Sequence, residues 1–249
     1  MKKELEPINP LAALKEFTAA RIALGRVGAS IPLKQSLEFK LAHAHARDAV
    51  YSTLRVDELT TKLNLFNLPV LHLHSKALTR HKYLKRPDLG RRLDENSSAI
   101  LSDYNSGADV AILIADGLSA EAVNENAFCL LEILLPMLIS AGLRVAPICL
   151  VEQGRVAIGD DVGFLLNAKL SVVLIGERPG LSAADSMGAY LTYNPRPGLT
   201  DESRNCISNI RPEGLIYQAA AEKIFYLITE SFRRRISGVD LKDNTGLIG

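Results

Sequence analysis

Residues 109–117 read Asp109-Val110-Ala111-Ile112-Leu113-Ile114-Ala115-Asp116-Gly117. Six apolar residues in a row end in an Asp-Gly pair. Nothing alternates, so a strand here must be buried on both faces, as in parallel sheets covered by helices. A helical pattern follows directly over 119–141. Ser119 is placed to cap it, Glu121 and Glu125 suit the positive end of its dipole, and Gly142 stops it. Further strand-like runs lie at 145–151, 171–175 and 189–193. A short helix is expected at 160–167 and a last one over 215–236, with Arg233, Arg234 and Arg235 at its C-terminal end and Gly238 beyond. This succession reads as α/β, a doubly wound parallel sheet of the Rossmann-like or flavodoxin-like kind. Such sheets take ligands beyond the carboxyl ends of their strands. The loops beginning at Asp116, Glu152 and Gly176 are therefore the first candidates.

Outward toward the N-terminus the character changes. A cluster of Asn, Ser, Asp and Gly near 98–107 reads as a boundary between a mainly helical region, 1–105, and the α/β region, 106–249. In the first region one helix is predicted at 11–24, between Pro10 and Gly25. A second follows Pro32, with Leu37, Leu41, Ala44 and Asp48 at helical spacing. Residues 71–73 suggest a short strand. The segment 78–93 gathers Arg80, His81, Lys82, Lys85, Arg86, Arg91 and Arg92 into a local basic patch, either a partner surface or a solvated face.

The chain as a whole is close to neutral, with 29 Lys and Arg against 28 Asp and Glu. That gives no electrostatic reason to expect nucleic acid or an anionic membrane as a partner. The longest apolar stretch, 128–139, is interrupted by Glu132 and Pro136 and is short for a bilayer. The first ten residues carry no secretory h-region. Cys129, Cys149 and Cys206 lack CxxC spacing and read as reduced thiols of a cytoplasmic protein.

Familiar catalytic signatures are absent. No GxGxxG follows a strand, and there is no GxxxxGK[ST], GxSxG, HExxH or EF-hand loop. His72 and His74 would share one side of a strand, but no third ligand accompanies them, so no metal site is assigned. Cys206 has no base within reach of the sequence argument and reads as an inert thiol, so no catalytic residue is assigned. Three polar, glycine-bearing stretches stand out at 154–160, 176–182 and 204–214. They suit a flat, amide-rimmed ligand approached by backbone over an apolar platform. They equally suit ordinary turns with salt bridges from Glu177, and chemistry alone leaves both readings open.

Several stretches are long and distinctive. They include Ala20-Arg21-Ile22-Ala23-Leu24-Gly25-Arg26, Leu41-Ala42-His43-Ala44-His45-Ala46-Arg47-Asp48, and Tyr83-Leu84-Lys85-Arg86-Pro87-Asp88-Leu89-Gly90-Arg91-Arg92. Later come Ala115-Asp116-Gly117-Leu118-Ser119, Gly154-Arg155-Val156, Gly176-Glu177-Arg178-Pro179-Gly180-Leu181 and Arg204-Asn205-Cys206-Ile207-Ser208-Asn209-Ile210. In this order, over residues 12–240, they resemble the small (light) subunit of ethanolamine ammonia-lyase. The resemblance implies a subunit of an adenosylcobalamin-dependent radical lyase, inactive alone, that turns ethanolamine into acetaldehyde and ammonia. It implies a large-subunit partner, a TIM barrel holding the substrate, in a hetero-oligomer. It also implies a cobalamin bound base-on, with which the absence of a DxHxxG motif agrees. Carried over by motif, the cobalamin contacts fall on Val156, Glu177 and Cys206. Encapsulated members bear a longer N-terminal extension, so a free cytoplasmic complex is expected here as readily as one in a bacterial microcompartment. The competing readings are a stand-alone Rossmann-like nucleotide or flavin enzyme, which lacks a visible phosphate cradle, and a non-catalytic cobalamin carrier, which commonly uses the missing histidine motif.

Overall fold

A computed structural model describes residues 12–18, 20–104 and 107–242. Helices α1 (Leu33–Tyr51) and α2 (Val56–Leu63) precede strand β1 (Val70–His74). Helices α3 (Arg80–Lys85) and α4 (Glu95–Ser102) lead to β2 (Val110–Ala115) and the long α5 (Ala120–Ser140). Then come β3 (Ile148–Glu152), α6 (Ile158–Leu165), β4 (Leu170–Gly176), β5 (Met187–Tyr193), β6 (Arg204–Ile210) and α7 (Tyr217–Arg234).

The six strands form one sheet in the order β1-β3-β2-β4-β5-β6. β1, β3, β2 and β4 are parallel. β5 runs antiparallel to β4, and β6 antiparallel to β5. The sheet is therefore α/β but mixed, which corrects the expectation of an all-parallel, doubly wound sheet. The physical reason lies in the connection 177–186. It carries no helix, and a return to parallel needs a crossover of a dozen or more residues. β6 was expected as a polar turn and is instead an edge strand, with one face exposed.

Both faces of the parallel part are covered, as the unbroken apolar runs require. Val110, Ile112 and Ile114 of β2 pack with Leu130, Leu134 and Leu138 of α5 and Ile224 and Ile228 of α7. Ala111, Leu113 and Ala115 face the other way, toward Leu101 of α4 and Ile158 and Val162 of α6. Among the described residues α5 alone has the length and hydropathy of a membrane span, yet more than half of its apolar window is buried within the fold. Ser119 caps it as expected, accepting the Ala122 N–H. Gly142 follows with φ +74° and Leu143 returns its N–H to Leu138, a glycine-terminated helix end.

The N-terminal helix expected at 11–24 is not formed. Its described part holds one 3₁₀ turn, Ala12–Glu16, with irregular chain after it. Leu14 and Phe17 are exposed there, and a short helix with no surface to pack on gains too little to hold. The helix after Pro32 does form, as α1, but Ala49 is its only buried residue. β1 joins the main sheet through β3, while the boundary residues 105 and 106 lie outside the described residues.

Candidate functional site

The parallel strands β2, β3 and β4 end together, and Asp116, Glu152 and Glu177 lie at or just past those ends. Asp116 is buried and ties two of the loops together. Its Oδ2 accepts the Gln153 N–H at 2.9 Å and its Oδ1 the Gly154 N–H at 3.0 Å. Gln153 sits in the left-handed region at φ +53°, which turns consecutive amides toward the carboxylate. Burial pushes the Asp116 carboxyl up to about 6, although both amides and Arg80 pull the other way. The effect is to fix the loop Gly154-Arg155-Val156 against the end of β2.

Arg80 reinforces this join. Its guanidinium donates to the carbonyls of Val50 and Gly117, both at 2.7 Å, and lies 3.8 Å from Asp116. Arg80 and Arg155 both stack over the ring of Tyr83, at 4.6 and 4.2 Å. Tyr83 is buried, and its hydroxyl donates to the Gly154 carbonyl at 3.3 Å. Gly117 permits the tight passage of the β2 loop. Its φ is +56°, and a Cβ there would fall 2.3 Å from the Gly176 carbonyl. The expected basic patch is thus partly internal. Arg80 faces inward, Arg86 pairs with Asp88, and Arg92 pairs with Asp161.

Glu177 follows β4 directly and is half-buried. The Ser186 hydroxyl donates to its Oε2, and the Asn209 N–H donates to the same oxygen at 3.2 Å. Asn209 reaches it through a β-bulge. Between Met187 and Ala189 the paired positions on β6 move from Ile210 to Ile207, three residues against two. Asn209 takes up the excess at φ +60°, a conformation Asn tolerates. Oε1 of Glu177 has no hydrogen-bond partner among the described residues.

Cys206 lies on β6 opposite Tyr190 of β5, so the two side chains share one face of the sheet. Cys206 is exposed. Packing around its sulfur pushes the thiol up, with the Glu177 carboxylate adding to the effect. At neutral pH it is a thiol, suited to contact and ill suited to nucleophilic attack.

Two adjoining clefts bring these residues together. One, of about 480 Å³, is bordered by Tyr83, Val156, Glu177 and Tyr190. The other, of about 330 Å³, is bordered by Val156, Tyr190, Arg204 and Cys206. Arg155, Val156 and Tyr190 border both. Val156, Glu177 and Cys206, far apart in sequence, thus line two adjoining clefts, a groove with Arg155, Val156 and Tyr190 between its halves. A separate cleft near Arg92 is lined by Asp160 and Asp161, whose carboxylates are already committed to Arg204 and Arg92.

Sequence reasoning missed Ser186, Gly188 and Tyr190. Tyr190 was legible only as one residue of a strand, and Ser186 belongs to a loop with no motif. The histidines stand apart. His72 Nε2 lies 2.7 Å from a Glu152 oxygen and His74 Nδ1 lies 2.6 Å from the Ser75 carbonyl.

The fold and this groove define an α/β protein whose candidate site spans the carboxyl ends of its parallel strands and the flanking β5–β6 pair. The family model for "Ethanolamine ammonia-lyase light chain (EutC)" matches residues 8–242. The chain belongs to that family. The ethanolamine ammonia-lyase small subunit of Azotobacter vinelandii is 54% identical over 239 residues, 94% of this chain and 88% of the relative. That of Pseudomonas fluorescens strain Pf0-1 is 50% identical, over 97% of this chain and 90% of the relative. That of Ralstonia nicotianae is 52% identical, over 94% and 88%. None of these supports the alternative of a stand-alone nucleotide or flavin enzyme.

Proposed function

We propose that this chain is the small subunit of an ethanolamine ammonia-lyase and supplies one face of the cobalamin site, with Val156, Glu177 and Cys206 as contacts. The meeting of those three residues along one groove carries the reading. Their surroundings fit an amide-rimmed, flat group. Glu177 Oε1 is a free acceptor, Val156 and Tyr190 offer apolar surface, and the Gly154 loop brings backbone close. Bound base-on, adenosylcobalamin would supply the radical chemistry that turns ethanolamine into acetaldehyde and ammonia. This chain's residues bind and orient the group, and its folded sheet shields one side of it from water.

The large subunit holds the substrate in this reading, and residues 1–105 provide the docking region. α1 supports that role. Leu33, Leu37 and Leu41 form an exposed stripe four residues apart, left uncovered by the described residues. Arg21 donates to the Leu181 carbonyl at 3.2 Å, so the arm leading into α1 lies beside the loop that follows Glu177. A partner covering α1 would therefore adjoin the groove. The three free thiols suit a reducing, cytoplasmic compartment, whether or not a microcompartment encloses the complex.

The test is co-purification with the large subunit, followed by adenosylcobalamin-dependent release of acetaldehyde from ethanolamine. Each subunit alone serves as control. Turnover only by the mixture, with cobalamin affinity lowered by Glu177→Ala, supports the reading. Turnover by this chain alone, or affinity indifferent to Glu177, refutes it.

A further inference from the structure

Glu177 and Tyr190 meet at Gly188. A Cβ on that glycine would lie 3.0 Å from Glu177 Oε1 and 3.2 Å from Tyr190 Cε2. The carboxylate and the ring are therefore neighbours across one bare backbone position, and both border the same cleft. Ser186 and Asn209 occupy Oε2, which leaves Oε1 open. The Tyr190 hydroxyl shares a hydrogen bond with the Cys206 thiol and donates to no carbonyl or carboxylate among the described residues. Burial, that thiol and the Glu177 charge hold its proton on at any physiological pH.

An open anionic acceptor beside an O–H donor is the complement of a primary carboxamide, which offers N–H and C=O on one planar group. A carboxylate in that place would offer Tyr190 an acceptor but set its own charge against Oε1. We propose that Glu177 and Tyr190 together read one primary carboxamide on the rim of the ligand and reject the corresponding carboxylate. This rests on the groove being the cobalamin face, since the corrin rim carries several such amides. Tyr190 then joins the contacts, and Glu177 sets specificity as well as affinity.

The experiment uses the assembled complex of both subunits and equilibrium binding followed by absorbance. The probes are adenosylcobalamin and its separated monocarboxylates, each with one rim amide hydrolysed. Wild type is expected to bind one isomer at least about tenfold more weakly than the parent, because like charges meet. Glu177→Gln, which replaces the charge by an amide, should shrink that gap for that isomer alone. Tyr190→Phe, which keeps the ring, should weaken the parent several-fold. The pair is refuted if no isomer is singled out, if Glu177→Gln leaves the gap, or if Tyr190→Phe binds the parent like wild type. Failure of the underlying reading looks different. There, Glu177→Ala and a blocking Cys206→Trp would leave affinity for every probe unchanged.

Discussion

The hydroxyl of Ser186 donates to one carboxylate oxygen of Glu177, nine residues earlier, and so fixes which oxygen remains free. The backbone supports the same geometry, since the Glu177 N–H donates to the Ser186 carbonyl at 2.9 Å. Ser186 is itself buried. A hydrogen bond to a charged group is worth about 1.5–3 kcal/mol. Ser186→Ala should therefore let the carboxylate rotate and weaken cobalamin binding by the assembled complex, by about tenfold for each 1.4 kcal/mol lost. Ser186→Thr, which keeps the hydroxyl, should recover part of it. Equal affinity in Ser186→Ala and wild type would remove Ser186 from the positioning of Glu177.

Asp160 and Arg204 form a buried bidentate pair, with oxygens and nitrogens 2.7 and 2.8 Å apart. Their side chains are only 3% and 2% exposed. Removing one partner strands the other charge, at about 3–5 kcal/mol. Asp160→Ala should lower the denaturation midpoint sharply. Replacing both by apolar residues of similar volume should cost much less. Since Arg204 begins the strand that carries Cys206, urea unfolding of the single and double variants checks both structure and site. Additive losses in the double variant would contradict the pairing.

Asp116 makes stability depend on pH in an unusual direction for a carboxylate. Its folded value, about 6, exceeds the roughly 3.9 of an unfolded chain. The folded state thus holds the proton more tightly. The resulting stability is full below about pH 4 and is lost as pH rises through about 6, on the order of 3 kcal/mol at most. Asp116→Asn should flatten the slope of unfolding free energy between pH 4 and 6.5, measured by denaturant titration. An identical slope in both proteins would show that Asp116 titrates normally.

Cys206 should react slowly with iodoacetamide at pH 7, because its thiol value is raised, and faster as the pH climbs past 9. Mass spectrometry of the Cys206 peptide separates it from Cys129 and from buried Cys149. Cobalamin bound to the complex should protect it. Rapid labelling at neutral pH, untouched by cobalamin, would place the thiol outside the groove.

What the sequence disclosed follows from where side chains lie. β2, α5 and β4 were legible because both faces of the strands and most of α5 are buried, so the apolar runs are unbroken. β6 was not. Only Arg204, Ile207 and Ile210 are buried in it, and the Asn and Ser residues between them read as a turn. The direction of β5 was recoverable in principle, since ten residues without a helix cannot cross back over the sheet. The contacts proposed at Val156, Glu177 and Cys206 came from resemblance, and their placement around adjoining clefts is a property of folding. Ser186, Gly188 and Tyr190 are brought beside Glu177 by cross-strand register and by a missing side chain, neither of which leaves a motif.

The bulge at Asn209 bears on how the molecule comes together. Because β5 runs back and β6 forward again, the chain leaves the rim at Glu177 and returns to it 32 residues later to donate that amide. Helices α4, α5 and α6 pack on the parallel strands without this excursion, and α7, which follows it, completes one face, whereas the groove cannot exist until the excursion has closed. Closing such a loop costs entropy before any contact rewards it. Maturation of the site should therefore trail formation of the core. In pulsed hydrogen exchange during refolding, amides of β2 and β4 should gain protection before that of Asn209, leaving an interval in which the protein is largely folded and still unable to grip its ligand.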